Sequence, residues 1–176
     1  MSGENIITKR GLAKLINEIH WLQKVERPKI TAEVSYAASL GDRSENAEYI
    51  YGKKRLREID ARLRYLIGRL SRITEVDPAL QGERAKGKIM VGATVVIEDH
   101  DGEERTYRIY GEDEVNVRQG ILSWKSPIAR ALLGAEAGDE VSYQAPSGLR
   151  SVEVIDVSYH AQDALPEDDL EAWKLP

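Results

Sequence analysis

The chain has 176 residues, 41% of them hydrophobic and 31% charged, which suffices for one mid-sized domain or two small ones. It lacks cysteine, so disulfides and thiolate metal centres are excluded, and no apolar run is long enough to span a bilayer, so no membrane partner is expected. Residues 1–10 contain no apolar stretch followed by a small-residue cleavage site, which makes the cytoplasm the expected compartment. The net charge of -5 conceals a division: residues 1–76 carry 15 Lys/Arg against 10 Asp/Glu, and residues 77–176 carry 10 against 20. A basic first part suggests a nucleic acid or another anion as its counterpart.

Thr8 reads as a helix N-cap, and Leu12, Leu15, Ile19 and Leu22 then place one apolar stripe on a helix. Pro28 predicts a kink near Arg27, after which Ile30, Val34 and Ala37 keep helical spacing. Residues 39–46 break the pattern. A second run, Leu56, Ile59, Leu63, Leu66, Leu70 and Ile73, steps by three and four, the seam of a helix paired along its length. Two stripes joined by a short polar turn predict an antiparallel helical hairpin, with helices of about 30 residues reaching about 45 Å.

Residues 77–88 have the Pro and Gly content of a linker. Beyond them the period changes to two. Strands are predicted at 93–98 and 106–110 around the His100-Asp101-Gly102 turn, and at 140–143 and 151–157 around Pro146-Ser147-Gly148. Between the pairs, Ser126 is a good N-cap, Pro127 suits a first helical position and Gly134 suits a C-cap. The fold class is therefore α+β: a long antiparallel hairpin over 1–76, then a small antiparallel sheet domain with one short helix over 89–159. An acidic extension covers 160–176; whether its Leu165, Leu170 and Trp173 dock on the sheet or lie free is open.

Asp42 and Glu45 lie three apart at the hairpin turn, which brings two carboxylates to one side. One reading makes Asp42 the cap of the second helix with Glu45 at its third position. The other makes them metal ligands. Two carboxylates form a poor private site for Mg²⁺, which needs near-octahedral oxygen geometry, so the remaining ligands must come from a partner. Between Lys53 and Arg72 the second helix carries eight cations against Glu58 and Asp60, a strip suited to phosphates. Tyr49 and Tyr51 lie between acidic tip and basic strip, where they either stack on a base or pack on the opposite helix. His20, His100 and His160 fall in three separate predicted elements, which suggests neither a metal set nor a triad.

The run from Gly41 to Leu66, GDRSENAEYIYGKKRLREIDARLRYL, with the ERP of the first helix and SPIARALLG from Ser126, resembles the bacterial Gre transcript-cleavage factors. The KKRLREID segment favours the GreB branch over GreA. The resemblance implies a coiled-coil hairpin followed by a domain similar to FK506-binding proteins. It further implies that the second domain docks on RNA polymerase through Lys125, Ser126 and Pro127, and that the hairpin enters the secondary channel. There Asp42 and Glu45 would help hold the second catalytic Mg²⁺, shared with the polymerase and weakly bound by the chain alone. Lys53, Lys54, Arg55 and Arg57 would hold the 3′ segment of the nascent RNA, and Ser44 and Asn46 would orient water or brace the turn. The factor would act as a monomer with no catalytic centre of its own. Lys125 replaces an acidic or amide residue of the pattern, Gly52 replaces an asparagine, and the extension past Tyr159 lies outside it. A non-cleaving channel regulator is the alternative; a peptidyl-prolyl isomerase is a third reading, disfavoured because a chain without phenylalanine has few aromatics for a proline pocket.

Overall fold

The computed structural model describes residues 4–41, 45–167, 169 and 171–176. They form two compact units, Ala13–Arg72 with Leu165–Pro176 and Met1–Leu12 with Ile73–Ala164.

The first unit is built on the predicted hairpin. One arm runs through α1 (Lys9–Trp21), a π-helical turn (Leu22–Glu26) and α2 (Arg27–Ser39); the other is α3 (Ala47–Leu70). Pro28 lies in the first turn of α2, and the Arg27 amide donates to the Leu22 carbonyl five residues back. A proline ring collides with the carbonyl four residues before it, and a widened turn at that point relieves the collision. The distortion expected at Arg27 thus takes the form of a π-turn. The two stripes meet as a buried seam of Leu15, Ile19, Leu22, Ile30 and Ala37 with Ile59, Leu63 and Leu66. Gly52 is buried in it, and a Cβ there would run into the Val34 side chain, whose χ1 is stiff in a helix. Its propensity cost of about 1 kcal/mol therefore accompanies a close approach of the helices.

Ion pairs cross the seam on both flanks. Arg62 donates twice to Glu18, at 2.7 and 2.9 Å, and Arg55 reaches Glu26 at 3.1 Å. Arg27 reaches Asp60 at 2.9 Å and holds its carboxyl below the ordinary range. The end of the acidic extension packs on this hairpin, which is neither of the two expected outcomes, although Leu170 lies outside the described residues. The rings of Trp173 and Trp21 are 5.5 Å apart, and the Lys174 ammonium sits 4.6 Å from the Trp21 ring centre.

The second unit differs from expectation in three places. Two short strands, β1 (Asn5–Thr8) and β2 (Ile73–Val76), pair in parallel, so Ile73 leaves the predicted seam for a strand. The segment expected to be a linker is mostly helix, α4 (Pro78–Ala85), capped by the Asp77 carboxylate on the Ala79 amide at 3.0 Å. Pro78 occupies the first turn, where a missing amide costs nothing, so it starts the helix rather than breaking it. The main sheet has the order β5-β4-β3-β7-β6. Its strands are β3 (Thr94–Asp99), β4 (Glu104–Tyr110), β5 (Ile121–Ser123), β6 (Glu140–Ala145) and β7 (Gly148–Ser158). All pairs are antiparallel except β4 with β5, which is parallel. With α5 (Pro127–Leu132) the sheet encloses Ile89, Val95, Ile97, Ile109, Leu132, Val152 and Val154.

A polar knot ties β1 to this unit. The Glu114 carboxylate accepts from the Thr8 and Gly111 amides, both at 2.9 Å, and from the Thr8 hydroxyl. Thr8 also caps α1 as predicted, its hydroxyl accepting from the Gly11 amide at 3.2 Å. A Cβ on Gly11 would enter the Glu114 carboxylate. Among the described residues, no helix is long and apolar enough to cross a membrane.

Candidate metal and nucleic-acid site at the hairpin tip

At the tip, α2 closes with the Leu40 amide donating to the Ala37 carbonyl at 3.2 Å, and Gly41 adopts φ +128°, a conformation that favours glycine. Asp42, Arg43 and Ser44 lie outside the described residues. The chain re-enters helix at Ala47 with Asn46 as N-cap, its Oδ1 accepting from the Tyr49 amide at 3.1 Å. Its Nδ2 donates to the Ala37 carbonyl at 3.0 Å. One side chain thus satisfies an orphan donor of α3 and a terminal carbonyl of α2.

This geometry corrects the capping reading. Asn46 is the cap, and Glu45 precedes the helix instead of occupying its third position. The Glu45 carboxylate is exposed, and no hydrogen bond or ion pair engages it among the described residues. Among those residues no group of three metal-capable side chains forms. A carboxylate pair is chemically suited to Mg²⁺ but fills only part of its shell, so the donor set fits a shared ion completed by other oxygens.

Behind the tip, Lys53, Lys54 and Arg57 are exposed along α3, and the Lys53 ammonium sits 5.8 Å from the Tyr49 ring centre. Arg55 is different. It is held between Glu26 and Glu58, and these carboxylates keep its guanidinium more firmly protonated than usual. Arg62 is likewise engaged by Glu18. Arg55 and Arg62 therefore pair with acids of the first arm, a use legible only once the arms are aligned. Lys54, Arg57 and Arg64 recur at helical spacing on the side away from Gly52, Ile59 and Leu66, and they form the outward part of the strip.

The expected docking residues lie in the other unit. Ser126 caps α5 by accepting from the Ala129 amide at 3.4 Å, and Pro127 begins the helix. Lys125 is engaged within the unit, with its ammonium 2.5 Å from a Glu112 carboxylate oxygen and 5.2 Å from the Trp124 ring centre. Sequence reasoning weighed Tyr51 for stacking and missed Tyr36; both are exposed near the tip. Their phase relative to the seam carries the signal, but the level of one arm against the other does not.

The chain matches known proteins over most of its length. Residues 5–74 match the family model described as "Transcription elongation factor, N-terminal", and residues 84–159 match "Transcription elongation factor, GreA/GreB, C-term". The chain is 45% identical to "Transcription elongation factor GreB" of Yersinia pestis, over 93% of this chain and 94% of that protein. It is 50% identical to the protein of the same name from Pasteurella multocida, over 85% of this chain and 92% of that one. A solved structure of the transcription factor Gfh1 aligns at 26% identity and TM-score 0.42, covering 89% of this chain and 99% of that one. The two models account for most of the chain and stop short of the extension that packs on Trp21, and the chain belongs to the GreA/GreB family of transcription elongation factors, on its GreB branch.

Proposed function

We propose that the hairpin enters the secondary channel of RNA polymerase and stimulates the polymerase's own endonucleolytic cleavage of backtracked nascent RNA. The factor works in the cytoplasm as a monomer and contributes residues to a site whose chemistry belongs to the polymerase. The observation that carries this reading is the division of labour at the tip: Asn46 takes the capping role, which leaves the Glu45 carboxylate exposed for a partner.

Asp42 and Glu45 would hold the second Mg²⁺ ion of the polymerase site together with the polymerase's own carboxylates. A second ion in such a site stabilises charge on the leaving oxygen. Asn46 fixes the place from which Glu45 projects, and ligand placement of this kind is where much of the rate advantage of a bound geometry arises. Lys53, Lys54 and Arg57 hold phosphates of the extruded 3′ segment through their exposed charges. Arg55, paired with Glu26, serves mainly to align the two arms. Ser126 and Pro127 shape the start of α5 as the docking element, with Lys125 braced beside them.

Asp42→Ala and Glu45→Ala should each reduce stimulated cleavage of backtracked complexes by at least about 100-fold, the scale of losing a placed electrostatic contact in an active site. Polymerase affinity, measured by competition with the unaltered factor, should stay within about twofold of its value, because surface changes away from the docking face alter stability little. Cleavage by Asp42→Ala at the wild-type rate would sink the proposal.

A further inference from the structure

Tyr36 and Tyr51 are 66% and 69% exposed, more than any other large hydrophobic residue described on the two arms. Their positions are related. Tyr36 directly precedes buried Ala37 on α2, and Tyr51 directly precedes buried Gly52 on α3. In an antiparallel pair, residues at the same offset from the seam project to the same flank. Val34 faces Gly52 and fixes the level of one arm against the other. From that level Tyr36 is two residues closer to the tip and Tyr51 one, a height difference of about 1.5 Å. The two tyrosines therefore sit at nearly the same level on one flank of the helical pair.

The surroundings indicate what this pair takes. Leu40, 60% exposed, continues the flank one turn beyond Tyr36. Lys54 lies three residues after Tyr51 on the adjoining surface, with a Cβ separation of about 5–6 Å, and its ammonium is exposed. Exposed Glu33 and Glu48 border the pair on its other sides and turn phosphates away from them, toward Lys54. Exposed aromatic rings with a cation beside them are the chemistry that holds an unpaired nucleobase and its phosphate.

We infer that Tyr36 and Tyr51 form a stacking platform for an unpaired base of a single RNA strand, with Lys54 holding the attached phosphate. The platform rests on the reading that the hairpin meets extruded RNA, and it adds base contact to phosphate contact. Stacking is tolerant of base identity because every base has a π-face, as a factor acting on arbitrary transcripts requires.

The test uses the full chain and polymerase complexes backtracked so that the extruded RNA carries 2-aminopurine near its 3′ end. Wild-type factor should quench the 2-aminopurine emission. The pair Tyr36→Ala with Tyr51→Ala should abolish the quench and lower cleavage about tenfold at subsaturating factor, the scale of one lost base–aromatic stack. The pair Tyr36→Phe with Tyr51→Phe should restore both. If the Ala pair quenches and cleaves like the wild type, the platform is wrong while the cleavage role stands. If the pair Tyr36→Leu with Tyr51→Leu retains full quench and cleavage, the flank is an apolar contact with the polymerase wall and the inference is overturned. A wild-type quench that the Ala pair removes, in a factor that stimulates no cleavage, upholds the platform and overturns the proposed function instead.

Discussion

Glu114 illustrates how little a residue's neighbours in sequence say about its environment. It ends the acidic run Glu112-Asp113-Glu114. In the fold its carboxylate is desolvated against β1, and burial raises its pKa above the ordinary 4.5 in spite of the hydrogen bonds from Thr8 and Gly111. A carboxyl whose folded pKa is raised favours folding in its protonated form. Its contribution is complete below the ordinary value and is lost as pH rises through the raised one. Asp60, held low by Arg27, has the opposite sign and loses its contribution on acidification below the ordinary 3.8. Glu114→Gln keeps a carbonyl oxygen for the two amides and cannot ionise. Relative to wild type, its urea midpoint should therefore rise between pH 5 and pH 8. An unchanged difference across that interval would show that burial does not perturb this group. The tip shows the same principle in a functional setting. Spacing alone left the cap of α3 open, and Asn46 takes that role by accepting from the Tyr49 amide.

Elements were legible in proportion to their length and to the strength of their own pattern. The arms of the hairpin announce themselves through Leu56, Ile59, Leu63 and Leu66, because a buried helical face needs apolar residues every three or four positions. Helix α4 was hidden by Pro78 and Gly82, which resemble linker composition until Asp77 is seen to cap it. Strands β1 and β2 have four residues each, too few for a period, and they exist because each supplies the other's partner. In the extension the apolar residues show in the sequence but their target does not, and only the fold brings Trp173 to Trp21. An aromatic pair contributes about 0.5–1.5 kcal/mol beyond its buried area. Trp173→Ala should therefore lower the melting temperature followed by helical circular dichroism and shift the fluorescence of Trp21 toward that of a hydrated indole. Identical melting and emission would remove the extension from the hairpin's stability.

For the molecule as a whole, a net charge of -5 repels nucleic acid, so any hold on RNA must be local. Among the exposed cations of α3, Lys53, Lys54 and Arg57 sit nearest behind the tip. Each phosphate contact on a single strand contributes about 0.7 to the slope of log affinity against log salt, so replacing all three with Gln should reduce the slope by about 2. Arg55→Gln serves as the contrast. It should leave the slope nearly unchanged and lower thermal stability instead, because Glu26 loses its partner across the seam. Equal salt slopes for the triple variant and the wild type would take RNA off this surface.

The sequence by itself determined the hairpin, the sheet domain, the charge division and the family, because each is written in periodicity or in contiguous motifs that need no knowledge of distant contacts. The tertiary structure decided which charges are spent inside the molecule and which face outward. It placed Arg55 and Arg62 on acids of the opposite arm, gave the cap to Asn46, buried Glu114 and set Tyr36 level with Tyr51. The physical reason is common to all of these. A side chain's role depends on what lies within a few ångströms of it, and for these residues that neighbour comes from another part of the chain.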